Sequence, residues 1–150
     1  MKNVFLVLIS TFFVFRCTAT TNMGSGNTGK AISVKDIANT SWKLTDISGE
    51  KVIPKKIDGK EIGAVTLDIT ADKISGSAGV NRYFGSYDVN GTEVTINGVG
   101  STKMMGPDDL MKTEYKYLSV LQDVTSVELK DKNTLILKSD SDTLTFTKTK

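Results

Sequence analysis

A chain of 150 residues with no histidine and a single cysteine is long enough for one domain. It excludes histidine-based acid–base, nucleophilic and metal chemistry, and leaves no partner for an internal disulfide. The formal charge of +2 comes from Lys2 and Arg16; the rest of the chain balances 17 basic against 17 acidic side chains, so it lacks the electrostatic footprint of a nucleic-acid binder.

Lys2 precedes an apolar run from Val4 to Phe15, shorter than the ~20 residues of a membrane-spanning helix. Residues 1–16 therefore read as an export signal peptide. Cys17 stands where a lipoprotein carries its acylated cysteine, although Phe15 and Arg16 occupy positions usually held by small residues. A cut after Ala19 also fits an A-x-A-like site, and a retained signal anchor is the third reading. All three place the domain outside the cytoplasm, in the cell envelope as a membrane-anchored lipoprotein or secreted. Residues 17–32 are rich in Thr, Gly, Asn and Ser and cannot bury enough surface to offset their ordering entropy, which predicts a flexible tether. The folded domain is expected over 33–150.

Ser33 and Asp36 have the spacing of a capping box, so a short helical turn is expected before Ser41–Ile47, where Trp42, Leu44 and Ile47 begin the core. Residues 48–63 form a long exposed connection, a loose hairpin turning at Asp58-Gly59. Val65, Leu67 and Ile69 alternate with polar residues as in a half-buried strand; Ala71-Asp72 turns it back into Lys73–Ala78. The stretch Gly76–Tyr87 then concentrates Gly76, Gly79 and Gly85 with Asn81, Arg82, Tyr83 and Tyr87, a pattern that predicts sharply bent strands. Asn90-Gly91 and Asn97-Gly98 both read as hairpin turns. The one long helix starts near Pro107, with Gly106 as N-cap and Asp108 and Asp109 at the positive end of its dipole. Its expected buried stripe is Leu110, Tyr117, Leu118 and Leu121, flanked by Met111 and Tyr115, with charged residues on the other side. Three antiparallel strands follow, carrying Val127 and Leu129, Leu135 and Leu137, and Leu144 and Phe146. The fold class is α+β: a strongly curved, barrel-like antiparallel sheet of about seven or eight strands, with one main helix before the last three.

Trp42-Lys-Leu44, Gly76–Tyr87, Thr102-Lys-Met104-Met105 and Glu114-Tyr-Lys-Tyr117-Leu118-Ser-Val-Leu121 stand in the order and approximate spacing of the META domain family, which includes the heat-shock protein HslJ. The chain resembles that family from about Ala38 to Lys148. The resemblance implies a small barrel-like domain of envelope or lipid-anchored proteins, without established enzymatic activity and with suggested links to stress tolerance. The family pattern places cysteines where this chain has Val80 and Gly106, so no role of those cysteines carries over; their joint loss is what is expected if the two positions lie close together.

Catalysis has few candidates. Asp108 with Asp109 is the nearest carboxylate pair, and a role at the helix N-terminus explains both. Asp68 with Asp72, and Asp140 with Asp142, fit strand exteriors and turns. No enzymatic activity, metal or cofactor is expected. Asn81, Arg82, Tyr83 and Tyr87 carry two readings: Asn81 bonds the bent backbone, the tyrosines pack and Arg82 faces water, or the group lines a groove for a peptide, lipid or polar ligand. Met104 and Met105 are expected in the core, with a place in an apolar pocket as the alternative. The expected function is a non-enzymatic exported domain that binds or stabilises an envelope component, attached to the membrane through Cys17 if that residue is acylated. The alternative is a carrier of lipid or a small apolar ligand inside the barrel.

Overall fold

The computed structural model describes residues 32–150. The expected export signal, Cys17 and all of the expected tether except Ile32 lie outside the described residues. Ile32 itself departs from the tether assignment: it is buried, and its N–H donates to Gly91 O at 3.1 Å, because an apolar side chain here has a core to join.

The helical turn α1 (Val34–Ile37) is held by the predicted capping box, with the Ser33 N–H donating to Asp36 Oδ2 at 2.7 Å. Strand β1 (Thr40–Ile47) follows, then the short β2 (Glu50–Lys51) and a hairpin of β3 (Lys55–Ile57) and β4 (Lys60–Ile62). Asp58 and Gly59 both have positive φ, as a type I′ turn requires. The remaining strands before the long helix are β5 (Thr66–Ile69), β6 (Lys73–Ser77), β7 (Arg82–Asn90) and β8 (Glu93–Ser101). Helix α2 (Asp108–Gln122) leads to β9 (Ser126–Asp131), β10 (Thr134–Lys138) and β11 (Thr143–Lys148).

Strands β5 to β11 pair with their chain neighbours, β1 pairs with β5, and β11 returns to pair with β1 from Trp42↔Lys148 to Ile47↔Leu144. The result is a closed eight-stranded antiparallel barrel of β1 and β5–β11, with the β3–β4 hairpin outside it. The weakest seam lies between β8 and β9, which meet only at Glu93↔Ser126. Helix α2, inserted between those two strands in sequence, packs against β8 and β11 and sends Tyr117 and Leu121 into the interior.

Alternate strand positions point inward, so Trp42, Leu44, Leu67, Tyr83, Leu135 and Phe146 are fully buried. Tyr117 packs edge-on against Tyr83 at a centroid distance of 5.5 Å and against Phe146 at 6.3 Å. Towards the α1 end a void of about 20 Å³ remains among Ile37, Leu67, Tyr87, Val94 and Val127. That is room for no more than about one water molecule, and the side chains around it are closely packed.

Four local expectations are corrected. Asn97-Gly98 is no turn: β8 runs through it, and Gly98, at φ +61°, sits where the β7–β8 register shifts, a bulge that curves the strands. The β7–β8 turn falls on Gly91-Thr92, one residue later than read, because Asn90 still pairs with Glu93. Pro107, not Gly106, caps α2. Met104 and Met105 lie outside the core, 55% and 93% exposed, because the chain leaves the sheet after Ser101 and passes over the barrel surface.

Candidate functional site

Gly76 sets the geometry from which the site is built. A Cβ there would come within 2.1 Å of the Thr66 carbonyl oxygen and 3.1 Å of the Tyr83 ring, so only glycine permits β5, β6 and the Tyr83 side chain to close on one another. Tyr83 uses that closeness: its hydroxyl donates to Thr66 O at 2.8 Å and meets Tyr117 Oη at 2.6 Å. Burial pushes both phenols above their ordinary range, most strongly through loss of water around the ionised form.

Between β6 and β7 the chain turns through Ala78–Asn81, with Gly79 at φ +122°. Asn81, almost wholly buried, ties three segments together. Its side-chain oxygen accepts from Thr102 Oγ1 at 2.8 Å and Met104 N at 2.6 Å; its Nδ2 donates to Met104 O at 3.1 Å and Glu114 Oε1 at 2.7 Å. Glu114 Oε2 in turn accepts the backbone N–H groups of Asn81 at 2.7 Å and Val80 at 3.1 Å. The Glu114 carboxylate thus has three N–H donors and, among the described residues, no cation in ion-pair range, and it docks α2 onto the β6–β7 turn. Sequence reasoning missed this residue, although its place between Leu110 and Tyr117 at helical spacing is visible: a carboxylate on a buried stripe needs dedicated donors. The observed stripe is Glu114, Tyr117, Val120 and Leu121, while Leu110 and Leu118 are only half-buried.

Beside this network lies a hollow of about 850 Å³, between α2 and the exposed segment Ser101–Met105. Met104, Met105, Met111, Tyr115 and Leu118 supply its apolar wall; Lys103, Lys112, Lys116 and Asp108 supply most of its charge. Tyr115 is 80% exposed. A second, smaller hollow of about 400 Å³ shares Thr102 and Met104 with the first and brings in Arg82, Asp68, Ser77 and Val80.

The four predicted site residues separate accordingly. Asn81 and Tyr83 are buried structural members, and Tyr87 packs inward with its hydroxyl on Thr70 O at 2.8 Å. Arg82 alone is exposed, with no carboxylate in ion-pair range among the described residues. Cys17 lies outside the described residues. Asp109 pairs with Lys55, which holds its carboxyl below the ordinary range, and Asp108 stands on the rim of the large hollow. Among the described residues no three acidic or cysteine side chains cluster as metal ligands.

The segments that converge on Glu114 and Asn81 include three of the four stretches noted in the sequence, and a profile of the META domain matches residues 35–150. The chain belongs to the META domain family. The NMR structure of a protein from Burkholderia xenovorans is similar, with a TM-score of 0.62 at 23% identity, over 85% of this chain and 99% of that one. A second NMR structure matches with a TM-score of 0.62 at 23% identity, over 77% of this chain and 94% of its own. At this identity the two show a shared fold. No match is found among curated proteins. Val80 and Gly106, where the family carries cysteines, do lie together: a Cβ on Gly106 would stand 3.3 Å from Val80 Cβ.

Proposed function

We propose that this META domain is a non-catalytic binding module of the cell envelope, and that the hollow between α2 and Ser101–Met105 is where it holds an envelope component. The observation that carries the proposal is the exposure of Met104, Met105 and Tyr115 around a preformed concave surface. Leaving three large apolar side chains in water has a hydrophobic cost that a bound partner relieves. Methionine suits such a surface because its flexible thioether adapts to more than one shape.

The non-catalytic part of the proposal draws on the same geometry. Glu114, the one buried carboxylate among the described residues, already accepts three N–H donors, so its oxygens are committed to holding the fold. The envelope part of the proposal is supported by the sequence of residues 1–16, which reads as an export signal, and by Cys17 directly after it, consistent with membrane anchoring or secretion.

The test is site-specific photo-crosslinking in intact cells, with benzoyl-phenylalanine at Met105 and, as control, at the exposed Lys130 of β9. A discrete envelope protein captured from Met105 and not from Lys130 is the expected result. Equal capture from both positions, or capture of cytoplasmic proteins only, would remove the basis of the assignment.

A further inference from the structure

We propose that the outer face of β6, β7 and β8 carries a further binding site, built around Phe84, for an uncharged carbohydrate. The site shares no lining residue with the hollow beside α2 and stands independently of the role proposed there.

Geometry is the first ground. Strand β7 turns Tyr83 and Tyr87 into the barrel and therefore Phe84 and Ser86 outward, with Ser75 and Lys73 of β6 on one side and Gly100 and Asn97 of β8 on the other. A single apolar side chain in water is ordinary, but this ring is held in place. A Cβ on Gly100 would meet Phe84 Cζ at 2.9 Å, so the far end of the ring lies over that glycine while 63% of the residue stays exposed. Beside it opens a hollow of about 420 Å³, within the ~300–1,000 Å³ of small-molecule sites. Gly85 and Gly98 leave that space unfilled, and a Cβ added at Gly98 would meet nothing within 4 Å.

Chemistry is the second ground. Lys73, Ser75, Ser86 and Asn97, all exposed, ring the hollow with ammonium, hydroxyl and carboxamide groups. Asn97 directs its Nδ2 to Asp88 Oδ2 at 3.4 Å, which leaves its side-chain oxygen as an acceptor. A fixed aromatic ring beside such groups matches a pyranose, whose axial C–H face packs on the ring while its equatorial hydroxyls both donate and accept. Other ligand classes fit less well. Strand β7 is paired on both edges, so its main-chain groups are committed to the ladder and cannot recruit an extended peptide. Lys73 is the one charged side chain in the lining, and Asp72 directly precedes it, so the hollow offers no cationic track for a nucleic acid or another polyanion.

The experiment is an NMR titration of the isotope-labelled protein with cellotetraose, chitotetraose and maltotetraose, following the backbone amides. At least one of these sugars is expected to shift Ser75, Phe84, Ser86 and Asn97 saturably, at low and high salt alike. Phe84→Leu still covers Gly100 but offers no planar face, and should bind about fivefold to tenfold more weakly; Phe84→Trp should bind at least as well as wild type. Lys73→Gln should leave the affinity unchanged. The dispersion of the amide spectrum reports whether each variant is folded. No saturable shift with any of the sugars would overturn the inference, as would undiminished binding by folded Phe84→Leu. Shifts confined to Met104, Met105 and Tyr115 would overturn it by placing the sugar in the hollow beside α2. Binding of a heparin tetrasaccharide in preference to the neutral sugars, lost at high salt or in Lys73→Gln, would overturn it in favour of an anionic ligand.

Discussion

Replacing Glu114 with alanine removes the acceptor for Val80 N–H, Asn81 N–H and one Asn81 Nδ2 hydrogen at once. Nδ2 keeps Met104 O, so two backbone donors lose their only partner. Each bare buried donor costs ~1–3 kcal/mol, and water entering from the groove recovers part, which gives an expected loss of about 3 kcal/mol. Against a total stability of ~5–15 kcal/mol that is a large fraction. The urea midpoint should fall by roughly 1.5–2 M, with m near 1.5–2 kcal/mol/M for a domain of this size. Trp42 fluorescence is a suitable probe, since it is the only tryptophan and is fully buried. Glu114→Gln should fall between the two, because one carbonyl oxygen still accepts while the new NH₂ group faces other donors. An alanine variant within about 0.5 kcal/mol of wild type would refute the claim that this carboxylate docks α2 onto the barrel.

Gly76→Ala should cost at least ~3 kcal/mol in the same assay, because the new methyl group meets the Thr66 backbone; Gly98→Ala, in open space at φ +61°, should cost only about 1 kcal/mol. Val80→Cys with Gly106→Cys should oxidise to a disulfide, read as the loss of two hydrogens in the intact mass. Closing a loop of about 26 residues predicts ~3.5 kcal/mol of added stability by the chain-entropy relation, and failure to oxidise would show that the two positions do not approach as described. Burial holds Tyr83 and Tyr117 protonated above the pH near 10 at which unfolded tyrosine ionises. The folded state then binds more protons than the unfolded one, so their contribution is intact below about pH 10 and is lost as the pH rises further. Urea midpoints measured from about pH 9 to 11 should show that decline, and Tyr83→Phe with Tyr117→Phe should flatten it.

Much of the barrel was legible because its signals are local. Alternation at Val65–Ile69 and through the last three strands, the Ser33–Asp36 box and the Asp58-Gly59 turn each depend on residues a few positions apart. Asn97-Gly98 was misread for the same reason: the dipeptide suits a turn or a bulge, and only the pairing of β7 with β8 decides between them. The site was less legible. The bent Gly76–Tyr87 stretch does anchor it, yet Asn81 and Tyr83 serve the core, and their partners Thr102, Met104 and Glu114 are distant in sequence. Hydropathy assigned Met104 and Met105 to the interior, whereas the crossing from β8 to α2 runs over an interior already filled by Tyr83, Tyr117 and Phe146.

The binding role is tested most directly by Met105→Asp with Tyr115→Asp in the native chain. Both side chains are almost fully in water, so the variant should unfold at the same urea concentration as wild type. The account predicts that it nevertheless loses the envelope protein captured by crosslinking from the neighbouring Lys103. A variant that folds normally and captures the same protein as efficiently would contradict it.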